Sequence, residues 1–204
     1  MTSAWESLEP PWRECFLLAW ESFGAGSIPV GAVLLDGAGT TVSRGRNRRN
    51  ERSGPAGQLR ASGLAHAEIN ALVTLPPADY SDHVMYTTLE PCLLCTAALR
   101  QCHVGTVRFA GPDPMFAGVD RIPDLDPFLA RRWTRRDGPL GGPFGRLAVV
   151  LHLVWAVENG AQSLVDGHAD TMPDELRAAR NLAGAPADRL RRLPLPEALP
   201  TLLG

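Results

Sequence analysis

Val84-Met85-Tyr86-Thr87-Thr88-Leu89-Glu90-Pro91-Cys92-Leu93-Leu94-Cys95 reads as a strand that runs into the start of a helix, with two cysteines at the join. Upstream, His66-Ala67-Glu68-Ile69-Asn70-Ala71-Leu72 opens a second helical pattern with a histidine and a glutamate at its head. Together the two stretches supply three soft zinc donors, His66, Cys92 and Cys95, and a carboxylate, Glu68, that is not needed as a ligand. A structural zinc is almost always closed by four protein ligands, whereas a catalytic one keeps three and leaves the fourth position to water. Glu68 then has a use, because a carboxylate there can take a proton from that water and hand it to a substrate.

The cysteine spacing has its own physical reason. With Pro91 opening the helix, where its missing N–H is harmless, Cys92 and Cys95 stand at i and i+3 on one side of the first turn. Both thiols then sit at the positive end of the helix dipole, which favours the thiolate that zinc requires. The pattern from Leu64 to Leu75 predicts a helix that carries His66 and Glu68 in its first turn, so two helix starts face one metal. A lone Cys-x-x-Cys also fits redox pairs and zinc ribbons. His-x-Glu followed by Pro-Cys-x-x-Cys is far more specific and is the signature of zinc nucleobase deaminases.

Four blocks in order carry a family resemblance: Ile28-Pro29-Val30-Gly31-Ala32-Val33, Gly45-Arg46-Asn47, His66 to Leu72, and Thr88 to Leu99. From about Ile28 to Ile122 the chain resembles the cytidine deaminase-like superfamily, and within it most the branch of tRNA adenosine deaminases and guanine deaminases. The resemblance implies a three-layer α/β/α sandwich around a mixed sheet of about five strands, a Zn2+ cofactor and a homodimer. It also implies hydrolytic deamination of an amino-substituted nucleobase or nucleoside, with Glu68 as proton shuttle and ammonia as product. A tRNA-specific adenosine-to-inosine deaminase is the first alternative, and an inactive zinc module with a binding role is the second. In this family an amide at the position of Asn47 hydrogen-bonds the sugar or base of the substrate, and Asp113 falls in a loop beside the substrate. Asparagine also merely ends strands, and an aspartate between two prolines, Pro112 and Pro114, is a common turn residue; both readings stay open.

Composition bounds the rest. At 204 residues, 45% of them hydrophobic, the chain can build one core. We expect a deaminase domain over 1–160 and a helical, proline-rich extension over 161–204. A net charge of −2 does not advertise a nucleic-acid binder. All twenty basic residues are arginine, and six of them (Arg44, Arg46, Arg48, Arg49, Arg52, Arg60) crowd the approach to His66. That segment reads equally as a solvated loop or as a phosphate contact. The cluster Arg131 to Arg136 reads as a solvated face. Four cysteines do not make a disulfide framework, and Cys15 and Cys102 read as buried small hydrophobes. The N-terminus shows no secretory pattern and no apolar run is long enough to span a bilayer, so a cytoplasmic protein is expected.

Periodicity places a packing helix over Pro11 to Phe23 and a hairpin from Val30 to Gly45. A long loop follows from Arg48 to Gly63, and a strand from Thr106 to Ala110. Leu147 to Val157 reads as either a buried helix or a fifth strand. A capped helix is expected over Pro173 to Leu182, and a loose tail over Pro194 to Pro200. His83, His103, His152 and His168 lie outside any ligand-spaced cluster and read as surface or core histidines.

Overall fold

Strand patterns buried on both faces need helices on both sides, and the computed structural model, which describes residues 4–203, supplies them. The helix α1 (Pro10–Gly24) leads into β1 (Gly31–Leu35) and β2 (Thr41–Arg46). Then come α2 (Ala67–Leu72), β3 (Val84–Leu89), α3 (Leu93–Gln101) and β4 (Thr106–Gly111). Two 3₁₀ turns, Pro114–Phe116 and Val119–Leu125, and the short α4 (Pro127–Ala130) precede β5 (Arg135–Asp137). The chain ends in α5 (Gly142–Glu158), α6 (Gln162–Ala169), α7 (Pro173–Leu182), α8 (Ala185–Leu190) and α9 (Leu195–Leu203).

The strands lie in the order β2-β1-β3-β4-β5; β1 is antiparallel to both neighbours, and β3, β4 and β5 are parallel. Alternation along β1 divides the core. Val33 and Leu35 join α1 and α5 on one face, while Ala32 and Leu34 join Met85, Val107, α2 and Leu99 of α3 on the other. The result is the expected α/β/α sandwich on a mixed five-stranded sheet.

Of the two readings of Leu147 to Val157, the structure shows the buried helix: the stretch lies within α5, which is buried nearly all round because α6, α7 and α9 cover the side turned from the sheet. The fifth strand is Arg135–Asp137, three residues with no apolar alternation to reveal them. The C-terminal stretch is not loose. Leu195, Ala198 and Leu199 of α9 are buried, and the Trp20 Nε1–H donates to the Leu193 carbonyl at 2.9 Å. A proline within α9, Pro200, disguises this helix. No helix among the described residues is long and apolar enough to cross a membrane.

Candidate active site

His66 caps the N-terminus of α2 and Cys92 caps α3; Glu68 and Cys95 follow in the first turns. Pro91 therefore precedes the cap instead of opening the helix, which shifts Cys92 outward by two positions and still leaves both sulfurs facing His66 Nδ1. The two helix starts converge. One donor atom each from His66, Cys92 and Cys95 lie within 4.8 Å of one another, the one such group of three or more among the described residues. His66 Nδ1 faces both sulfurs, at 3.6 Å from Cys92 Sγ and 3.4 Å from Cys95 Sγ.

The electrostatics suit a cation. A hydrogen bond from the Cys95 thiol, helped by His66 and by the Cys95 backbone N–H, lowers Cys92 to about 4 against the opposing effect of burial. Cys95 moves the other way, held up by its bond to Cys92, by burial and by the Glu68 charge. A divalent ion bound here would hold both sulfurs as thiolates. Soft N/S donors, three in number and at helix starts, fit Zn2+ with a position left for water. Glu68 stands just outside this group. Burial, then the Cys92 charge, raises its pKa. Its Oε1 accepts from Thr87 Oγ1 at 2.9 Å, and its Oε2 accepts from Cys95 Sγ at 3.3 Å.

Surrounding contacts fix these groups. A Cβ on Gly45 would lie 2.1 Å from the Ala67 carbonyl oxygen, so only glycine lets β2 approach the helix that carries His66 and Glu68. Asn70 grips both sides of the long loop: its Nδ2 donates to the Arg46 and Leu59 carbonyls, and its Oδ1 accepts from Leu59 N–H. Half of the arginines in this approach are held in ion pairs. Arg44 pairs with Glu14, Arg46 with Glu51 and Glu21, and Arg48 with Glu51. Of the six, Arg49 reaches the cavity lining.

Arg136 corrects the reading of its cluster as a solvated face. Its side chain is 4% exposed; Nη2 donates to Glu90 Oε1 at 2.6 Å and Nη1 to Thr96 Oγ1 at 3.0 Å, while Nε pairs with Asp120 at 2.7 Å. Nothing in the spacing of an Arg-Arg-Trp-Thr-Arg-Arg run marks one member as buried; only β5 pairing with β4 sets Arg136 behind the cysteine turn.

A cavity of about 270 Å³ opens onto the donor group. Asn47 and Asp113 both line it, each 2% exposed. Asn47 follows directly on β2, and its Oδ1 accepts from the Arg49 N–H at 3.0 Å. Asp113 caps the first 3₁₀ turn by accepting from the Met115 N–H, its Oδ1 lies 3.8 Å from His168 Nε2, and its own N–H donates to Glu90 Oε2 at 2.9 Å. Turn residue and cavity residue are thus one and the same. Burial pushes its carboxyl up. Met115 and Phe116 enter the lining from the same loop as Asp113, whereas sequence reasoning missed His152 and Leu164, because their helices carry no spacing that points to a ligand.

Residues 6–110 match the cytidine and deoxycytidylate deaminase zinc-binding region. Among similar proteins, the tRNA-specific adenosine deaminase subunit tad2 of Schizosaccharomyces pombe is 31% identical over 52% of this chain and 26% of its own length. The cytosine deaminase of Candida albicans is 33% identical over 40% of this chain and 51% of its own. The chain thus spans between a quarter and half of these relatives. The structure of a guanine deaminase from Nitrosomonas europaea shares the fold, with TM-score 0.53 and 20% identity over 74% of this chain and 86% of that one. The donor triad with its neighbouring glutamate therefore sits inside a matched region that spans half the chain, and the protein belongs to the cytidine and deoxycytidylate deaminase zinc-binding family.

Proposed function

We propose that the chain catalyses hydrolytic deamination of an amino-substituted nucleobase or nucleoside, at a ring carbon such as C6 of a purine or C4 of cytosine. Zinc held by His66, Cys92 and Cys95 supplies Lewis acidity and lowers the pKa of water. Glu68 takes up one proton as water oxygen adds to the ring carbon, and delivers it to the adjacent ring nitrogen. It then moves the hydroxyl proton to the amino group, the C–N bond breaks, and ammonia leaves as the carbonyl forms. The Thr87 hydroxyl orients Glu68, and the raised pKa of Glu68 suits a group that must both take and give a proton. Asn47, with its side-chain oxygen already occupied, offers its NH2 to the sugar or base, and Asp113 offers its carboxyl.

The observation that carries this reading is the spare carboxylate of Glu68 beside a three-donor cluster, since a purely structural zinc has no use for it. The test is Glu68→Gln. Zinc stays at one equivalent while ammonia release falls by about 10²–10⁴-fold; full zinc with unchanged turnover would sink the proposal.

A second reading, deamination of adenosine within tRNA, draws support from the tRNA-acting relatives. The pairing of Arg44, Arg46 and Arg48 with carboxylates supports the small substrate instead, because it removes cations from phosphate contact. Ammonia release over free bases, nucleosides and anticodon stem-loops separates the two. We also read the protein as a homodimer; Leu64 and Leu93, both more than half exposed beside the donor residues, support a covered face there, and light scattering measures it.

A further inference from the structure

The matched family region ends at Ala110, and the cavity does not. Met115, Phe116, His152 and Leu164 complete its lining. Three of these are apolar and one is a histidine in the middle of α5, a helix otherwise apolar along nearly its whole buried length. His152 is 5% exposed, and its Nδ1 has no hydrogen-bond partner among the described residues. Buried polar atoms are nearly always paired, and one that is not calls for an explanation such as a ligand. Among the described residues no hydrogen bond to Nδ1 fixes the tautomer, so the ring, which lines the cavity, is free to present a donor or an acceptor at its cavity edge.

This wall is held in place by close packing. A Cβ on Gly111 of β4 would lie 2.9 Å from the Gly145 carbonyl oxygen, and one on Gly145 would lie 2.9 Å from that of Ala110, so α5 rides directly on the strand backbone. Gly167 of α6 seats against Met115, where a Cβ would meet Sδ at 3.1 Å. Behind His152 stands the fully buried His168. Its Nδ1 donates to the Leu164 carbonyl at 2.9 Å, its Nε2 lies 3.8 Å from Asp113 Oδ1, and its ring meets His152 edge-on at 6.1 Å.

We infer that His152 is a specificity-determining residue that hydrogen-bonds the polar edge of an uncharged heterocycle, a free base or nucleoside, lying between it and the metal donors. The inference rests on the deaminase reading for the place of the reacting carbon. Three features select this ligand class. A cavity of about 270 Å³ falls just under the ~300–1,000 Å³ of sites for drug-sized ligands, which suits one base better than a polymer segment. Met115, Phe116 and Leu164 give a planar ring an apolar wall. Burial keeps His152 neutral, so it meets a neutral ring edge and not a phosphate.

The test measures equilibrium binding of hypoxanthine, xanthine, uracil and their ribosides, which lack the reacting amine, to the zinc-loaded full chain, its His152→Leu variant and its His152→Gln variant. Wild type binds at least one of them; His152→Leu weakens that ligand about 10- to 100-fold with zinc content and melting profile retained, and His152→Gln recovers part of the loss. Equal affinities in wild type and His152→Leu overturn the inference. So does a wild type that binds none of these ligands but binds an anticodon stem-loop. Should His152→Leu lose the fold, the Gln variant decides by the same comparison of affinities. Ammonia release from adenine, guanine, cytosine and their ribosides is read in parallel: His152-dependent binding without any ammonia removes the deaminase reading and leaves the pocket assignment standing.

Discussion

Arg136 of β5 donates to Glu90 at 2.6 Å, and Glu90 in turn accepts from the Asp113 N–H at 2.9 Å, so one buried ion pair ties the residue before Pro91 to the loop that lines the cavity. With the arginine side chain 4% and the glutamate 9% exposed, removing one partner leaves a charge buried without compensation. Arg136→Met is expected to destabilise the protein by about 3–5 kcal/mol, and Glu90→Gln added to it restores part of that loss. Urea unfolding of the two single variants and the double variant checks this; additive losses would show that the pair is not coupled.

Cys92 and Cys102 separate ligand from bystander. Cys92→Ser should lower zinc stoichiometry, since a serine hydroxyl does not supply the thiolate that Cys92 already approaches in this site. Cys102, at the far end of α3 and outside the donor group, tolerates the same change with full zinc retained. Metal analysis after dialysis distinguishes them.

Gly45→Ala tests the contact between β2 and α2. Its Cβ would sit 2.1 Å from the Ala67 carbonyl oxygen and 2.3 Å from the Ala71 nitrogen, both backbone atoms that cannot swing away. A loss of about 1–3 kcal/mol or more is expected, seen as a drop in Tm of several degrees. Because α2 carries His66 and Glu68, zinc affinity falls with it; an unchanged Tm would contradict the close approach.

His152 makes stability depend on pH. Burial first, then the charges of His168 and His66, lowers it from 6.5 to about 3. Between these values the unfolded chain binds a proton that the folded chain refuses, so stability rises with pH across that window. The contribution is complete above about pH 6.5 and is lost as pH falls toward 3. Urea midpoints at pH 7 and pH 5 should differ more for wild type than for His152→Gln, and equal differences would show that His152 does not carry the effect.

His66, Glu68, Cys92 and Cys95 were legible before any coordinates, because ligand chemistry restricts residue type and helix starts restrict spacing. Asn47 and Asp113 were legible only as alternatives, turn residue or substrate contact; in the structure both bury their side chains at the cavity while also making local turn hydrogen bonds. The arginine run from Arg44 to Arg60 was legible only as a charge run. Its partners are Glu51 within the run and Glu14 and Glu21 on α1, more than twenty residues upstream, and a charge run does not announce which members will be paired.

The sequence by itself determined the donor set, the carboxylate beside it, and the alternation of strands and helices, all of them properties of short segments. Only the tertiary structure decided that β5 would be cut from a basic run, that Arg136 would be buried behind the cysteine turn, and that α5 and α6 would bring His152 and Leu164 to the cavity. Those outcomes depend on which distant segments share one core. Burial of an apolar helix such as α5 is set by total buried area and not by local pattern, so its one buried ionisable residue, His152, acquires a position that no spacing rule encodes.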